Sequence, residues 1–153
     1  MDKAYHAKVI ADVIAKLQEL DIDLYLILTS EGADPITSFI PGVDTVGSGA
    51  YLFRKDGEKI GVASSIDAQD VEESGLLDEV VRYDVYDSTV AQLVKEAAPR
   101  RVALDYSLEN PFCDGLTMGR YNRFVEAMGG SLPFETVSAD LFIPAVQAAN
   151  PAK

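Results

Sequence analysis

"DIDLYLILTSEGADPITSFIPG", residues 21–42, joins a dense apolar run to a turn-rich loop. Leu24 to Leu28 carries no charged residue and too little alternation for a strand with one wet face, so it reads as a buried strand. The loop behind it opens on Asp34-Pro35, an ordered-turn signal, because an aspartate side chain bonds its own backbone two residues on and proline fixes φ. Phe39 and Ile40 follow, either turned into the core or presented outward. Loops at the carboxyl ends of strands are where α/β folds place ligands, which makes this loop the first candidate for a functional surface.

Working outward, Val9, Ile10, Val13, Ile14, Leu17 and Leu20 recur at helical spacing ahead of the strand. Downstream, Asp56-Gly57 separates two strand-like runs in "AYLFRKDGEKIGVASS", a hairpin signal in which both central turn residues tolerate positive φ. Asp67 is the expected N-cap of a short acidic helix that stops at Gly75, before a strand "EVVRYDVY". Asp87 or Ser88 then caps "TVAQLVKEAA", Pro99 ends it, and "RVALDY" is a further buried strand. In "CDGLTMGRYNRFVEAMGG" Leu116, Tyr121, Phe124, Val125 and Met128 form an apolar helical face, with Asp114 in a capping place and Gly129 after the last turn. "PFETV" is a last short strand. The alternation predicts an α/β fold: a mixed β-sheet with one antiparallel hairpin and helices on both faces. Residues 1–138 are expected to form a single α/β domain, and 139–153, opened by Ser138, a helix and the start of a linker.

The chain has 153 residues, 48% of them hydrophobic, enough for one domain with a proper core. Its 13 basic against 25 acidic residues give a net charge of −12, which repels phosphate backbones and anionic lipid, so nucleic-acid and membrane partners are not expected. Cys113 is the single cysteine, fitting a reducing compartment and a cytoplasmic location. The first twenty residues lack a signal-type apolar segment.

Nucleophilic triads and imidazole bases have one candidate, His6, which reads as a surface residue of the first helix. No metal-ligand set is legible among acidic residues scattered at helix starts and turns. "GSGAYL", Gly47 to Leu52, lacks the third glycine of a dinucleotide loop and precedes a strand. Asp21 and Asp23 come before their strand, where a phospho-receiver would need carboxylates after it. Gly115 and Gly119, in the opening of the later helix, allow another backbone to come close or the helix to pack tightly on its own sheet. Tyr121 with Arg120 and Arg123 is an interface patch or a solvated helix face.

The order of these elements, with "DIDLYLILTSEGADPITSFIPGVDTVG", "AYLFRKDGEKIGVASSIDAQDVEESGLLDEV" and "RVALDYSLENPFCDGLTMGRYNRF", resembles the amino-terminal domain of the Xaa-Pro peptidases, the prolidase, aminopeptidase P and creatinase group. Thr37-Ser38-Phe39 stands at the family's "TGF"-like triplet. The resemblance implies a creatinase/prolidase N-terminal domain with ribonuclease H-like layering and no catalytic or cofactor-binding residue of its own. In that family hydrolysis belongs to a following "pita-bread" domain, which holds two divalent ions (manganese, cobalt or zinc) through two aspartates, one histidine and two glutamates. By the same resemblance the chain is the front piece of a cytoplasmic metallopeptidase: it partners its own carboxy-terminal catalytic domain, forms a homodimer, and walls one side of a cleft for proline-containing peptides. Asp34, Ile36, Phe39, Ile40, Asp114 and Tyr121 are the cleft or interface candidates, with Asp34 holding the turn or meeting a substrate amine. Gln147 and Asn150 depart from the basic residues the family often has in the connecting helix. The alternatives are a free-standing peptide- or protein-binding module of the same fold, and a flavodoxin-like binding protein.

Overall fold

A computed structural model describes residues 1–152. Helix α1 (Lys3–Leu20) leads into strand β1 (Leu24–Ser30), followed by a short helical turn, Pro35–Ser38. Strands β2 (Ser48–Arg54) and β3 (Lys59–Ala63) form the hairpin, then come α2 (Ala68–Glu73), β4 (Glu79–Arg82), α3 (Tyr86–Ala97) and β5 (Arg101–Leu104). A second turn, Pro111–Cys113, precedes α4 (Met118–Ala127), β6 (Glu135–Ser138), a third turn, Ala139–Leu141, and α5 (Ile143–Ala149). The six strands form one mixed sheet in the order β4-β3-β2-β1-β5-β6. β1 pairs antiparallel with β2, and β2 with β3, whereas β1–β5, β3–β4 and β5–β6 are parallel.

β1 lies near the middle of the sheet and is covered on both faces, which is why its sequence is apolar without interruption. Its side chains alternate: Tyr25 and Ile27 enter one core with Val9, Val13 and Leu17 of α1, Val71 of α2 and Val146 of α5. Leu24, Leu26 and Leu28 enter the other with Val90 and Val94 of α3 and Phe124 of α4. The expected two-faced layering is therefore present. Segment 139–150 contributes to the first core, where Phe142 and Ile143 are fully buried and α5 lies against α1. Among the described residues no helix is long and apolar enough to cross a membrane.

Several local expectations change. The hairpin turn gives positive φ only to Gly57, at 100°, because Gly57 N donates to Arg54 O and Arg54 N to Glu58 O; this is a three-residue loop with a bulge, not a two-residue turn. Helix α3 begins at Tyr86, with Val85 as N-cap, so Asp87 sits in its first turn and neither Asp87 nor Ser88 caps it. Tyr86 is the cause: its ring is buried and its hydroxyl donates to Gly49 O at 2.7 Å, drawing the chain into the helix early. Helix α4 is capped by Thr117, whose Oγ1 accepts from Arg120 N; Asp114, four residues upstream of the helix, instead accepts from Ser107 N at 3.0 Å.

Candidate functional site

The carboxyl ends of β1 and β5 lie side by side because the two strands pair in parallel, so their following loops meet. Asp34 caps the Pro35–Ser38 turn, accepting from Ile36 N at 3.0 Å. Its own N–H donates to Thr29 Oγ1 at 3.2 Å, and its carbonyl accepts from Thr37 Oγ1 at 2.8 Å. The side chain is fully buried, and in this structure Asp34 holds the turn. Ile36 and Ile40 are also fully buried: the helical turn rolls both inward onto α1, and they are core rather than presented surface. Phe39, 8% exposed, packs edge-on between Tyr5 and Phe112, at centroid distances of 6.3 and 6.1 Å. One edge of it lines an open groove of about 580 Å³ with Asp2, Tyr5, His6, Phe112 and Gln147.

His6 is not the expected surface residue: it stands three, four and seven positions before Val9, Ile10 and Val13, on the buried face of α1. It is 9% exposed, and its Nδ1 lies 2.9 Å from Phe39 O, so the ring donates that N–H and pins the loop after β1 to α1. Gly42, at φ +83°, makes this possible, since a Cβ there would fall on the imidazole.

The residue the sequence reading passed over is Asp105, directly after β5. It is 1% exposed and accepts from Tyr25 Oη at 2.5 Å, while its carbonyl accepts from Leu116 N at 2.9 Å. Asp105 and Asp34 face each other with their carboxyl groups electrostatically coupled, and Cys113 is buried beside them. Burial and then the Asp34 carboxylate push the pKa of Asp105 well above the ordinary range; burial raises Asp34 as well. The Tyr25 phenol is raised by burial and by Asp105, and burial pushes the Cys113 thiol up to about 12. Gly115 completes the junction: a Cβ there would overlap Asp34 Oδ1. This is the close backbone approach the glycine suggested; Gly119 has nothing within 4 Å of such an atom.

Of the candidate residues, Asp34, Ile36, Phe39 and Ile40 lie together, and Asp114 is exposed on the facing loop and bears electrostatically on Asp34. Tyr121 stands apart, on the second core, where it lines a groove of about 400 Å³ with Leu104, Tyr106, Leu116 and Met118. Arg120 stacks over the Tyr86 ring at 4.5 Å, and Arg123 Nε donates to Asp87 Oδ2 at 3.0 Å. Asp105 carried a readable signal, a lone charge closing an apolar strand; its pairing with Asp34, 71 positions away, depends on strand order. Among the described residues no three His, Cys, Asp or Glu side chains gather as metal ligands, so the residues present do not fit a paired-ion centre.

Residues 10–146 match the family model described as the creatinase/prolidase N-terminal domain. The chain belongs to that family. Solved structures agree on the fold. The creatinase/prolidase N-terminal domain here is similar to the Xaa-Pro dipeptidase from Bacillus anthracis, with a TM-score of 0.62 and 19% identity over 89% of this chain and 34% of that one. It is similar to the prolidase from Pyrococcus furiosus, with a TM-score of 0.65 and 15% identity over 89% of this chain and 36% of that one. It also matches the N-terminal domain of cytoplasmic peptidase PepQ from Mycobacterium tuberculosis H37Rv, with a TM-score of 0.65 and 16% identity over 94% of this chain and 98% of that one. The chain thus spans about a third of the length of the longer relatives. A search of the curated proteins found no match.

Proposed function

We propose that this chain is the non-catalytic amino-terminal part of a cytoplasmic Xaa-Pro metallopeptidase, packing on a carboxy-terminal catalytic domain and contributing to a homodimer and to one wall of the cleft for proline-containing peptides. The observation that carries this reading is the family match over residues 10–146, set beside relatives of which such a domain makes up about a third. Hydrolysis at paired manganese, cobalt or zinc ions needs converging carboxylates and histidine to generate a hydroxide. That chemistry is assigned to the catalytic domain, where no residue of this chain is required as a ligand. Phe39 and Tyr121, on opposite faces of the sheet, line open grooves, which supports reading them as contacts to a neighbouring domain or subunit.

The purified 153-residue chain is expected to show no cleavage of an Xaa-Pro dipeptide in the presence of manganese, and the polypeptide extended through its own downstream reading frame to cleave it. Robust metal-dependent turnover by the short chain overturns the assignment, as does a stop codon shortly after Lys153.

A further inference from the structure

Two acidic side chains that are 0% and 1% exposed meet at the junction of the loops after β1 and β5. One oxygen of each is satisfied, by Ile36 N for Asp34 and by Tyr25 Oη for Asp105. The remaining oxygens, Oδ2 of both, are buried with no N–H or O–H donor from any other described group. Two ionised carboxylates are acceptors only and repel each other, whereas a carboxylic acid beside a carboxylate supplies the missing donor. We propose that Asp34 and Asp105 share a single proton that clasps the loop after β1 to the loop after β5, and that its loss as pH rises releases the clasp and admits solvent to Cys113.

Among the described residues, the groups that bear electrostatically on the pair supply no positive charge. β1 presents Tyr25, the Pro111–Cys113 turn presents Cys113 and Asp114, and the Ala139–Leu141 turn brings Asp140 to bear on Cys113; all are acidic or neutral. Arg120 and Arg123, which open α4, are occupied by Asp87 and Ser48. What the clasp holds is also clear. Asp34 caps the turn that buries Ile36 and Ile40, and Gly115 backs directly onto its carboxyl group, so separating the acids lifts both loops at once. Cys113, fully buried against them, reports the opening. With ordinary carboxyl ionisation in the opened form, the closed form holds one proton more, and opening grows with pH until Asp105 ionises in the closed form too.

The test is the reaction of Cys113 in the intact chain with an aromatic disulfide between pH 6 and 9, each rate divided by that of the denatured chain at the same pH to remove thiolate ionisation. The normalised rate is expected to rise by up to about tenfold per pH unit. Asp34→Asn keeps the cap on Ile36 and offers a permanent N–H to Asp105, so its rate is expected to stay flat within about twofold. A flat profile in the wild type, or the wild-type slope in Asp34→Asn, overturns the proposal. Should that variant fail to fold, carboxyl carbon-13 resonances of the wild type decide: one aspartic acid still protonated at pH 7 supports the shared proton, and full ionisation of every aspartate refutes it.

Discussion

Gly115 and Gly119 stand four positions apart, read alike in sequence, and differ in what surrounds them. A methyl group on Gly115 has to enter the space of the Asp34 carboxyl and the Pro35 ring, both held by the turn they begin, so Gly115→Ala is expected to lower stability by about 1–3 kcal/mol. Gly119 lies in the first turn of α4 with open space around it, and Gly119→Ala is expected to be neutral or to stabilise by up to about 1 kcal/mol. Urea midpoints of the two variants compared with the parent check the contrast; equal effects would remove Gly115 from the junction. Asp67 is a second residue whose work differs from its place. Its carboxylate makes no bond to the helix it precedes; it accepts from Val46 N at 3.0 Å and Gly47 N at 2.8 Å and anchors the far end of the loop after β1. Burial opposes its charge, but those two N–H groups and the Ser64 hydroxyl outweigh it and lower its pKa. Asp67→Ala, which leaves two N–H groups without their acceptor, is expected to cost about 1–3 kcal/mol in the same measurement.

At the scale of elements, what the sequence made legible follows one rule. Wherever a helix or strand buries a face, the spacing of its apolar residues states that face, as Val9, Val13 and Leu17 do for α1 and Leu24 to Leu28 for a strand covered twice. Starts and stops were less legible, because they depend on single contacts made across the fold. Tyr86 begins α3 early by reaching Gly49, and Asp114 leaves α4 to serve Ser107. His6 was partly legible, since it stands three, four and seven positions before Val9, Ile10 and Val13 on the buried face of α1; what the spacing does not contain is the loop at Phe39 and Gly42 that folds over it. The junction of Asp34 with Asp105 needed the parallel pairing of β1 with β5, which local periodicity does not contain. The last helix shows this dependence most fully. Residues 139–153 read as a helix running into a linker; the helix is there, and what the composition did not state is how it docks, with Phe142 edge-on against Tyr25 at 5.1 Å and Asn150 Nδ2 donating to Asp12 Oδ2 at 2.8 Å. Phe142→Ala is expected to lower stability by about 3–5 kcal/mol. Ending the chain at Ser138 is expected to abolish the cooperative unfolding transition, read by near-ultraviolet circular dichroism; an unchanged transition would make α5 an appendage.

For the whole molecule, the same charges set a pH optimum, because its carboxyl groups are perturbed in opposite directions. Before the strand, burial disfavours the charge of Asp23, but the N–H groups of Arg100 and Arg101 and the Lys55 ammonium hold its pKa down to about 2. Asp21, bonded to Lys55, Asp12, bonded to Lys8 and Asn150, and Asp67 are lowered too. For each of these the unfolded chain binds more protons than the folded one, so the stability they contribute is complete above the ordinary carboxyl value of 3.8 and is lost as pH falls through the folded value, which for Asp23 is about 2. Asp105, after the neighbouring strand, is raised, so the folded chain is the one that binds more protons. Its contribution is complete below 3.8 and is lost as pH climbs through its folded value. The two slopes have opposite sign and meet on the acid side of neutrality. Stability is therefore expected to peak at about pH 5 and to decline toward both pH 3 and pH 9, the alkaline arm by at most about 1.4 kcal/mol per pH unit for the one proton held by the buried pair, and the acid arm less steeply per group because Asp12, Asp21 and Asp23 reach solvent and are screened by it. Urea unfolding at pH 3, 5, 7 and 9 measures this, and Asp34→Asn separates the two arms, since it flattens the alkaline decline while leaving the acid one. A peak at pH 8, or an alkaline arm untouched by that substitution, would place the pH dependence elsewhere than in the buried pair.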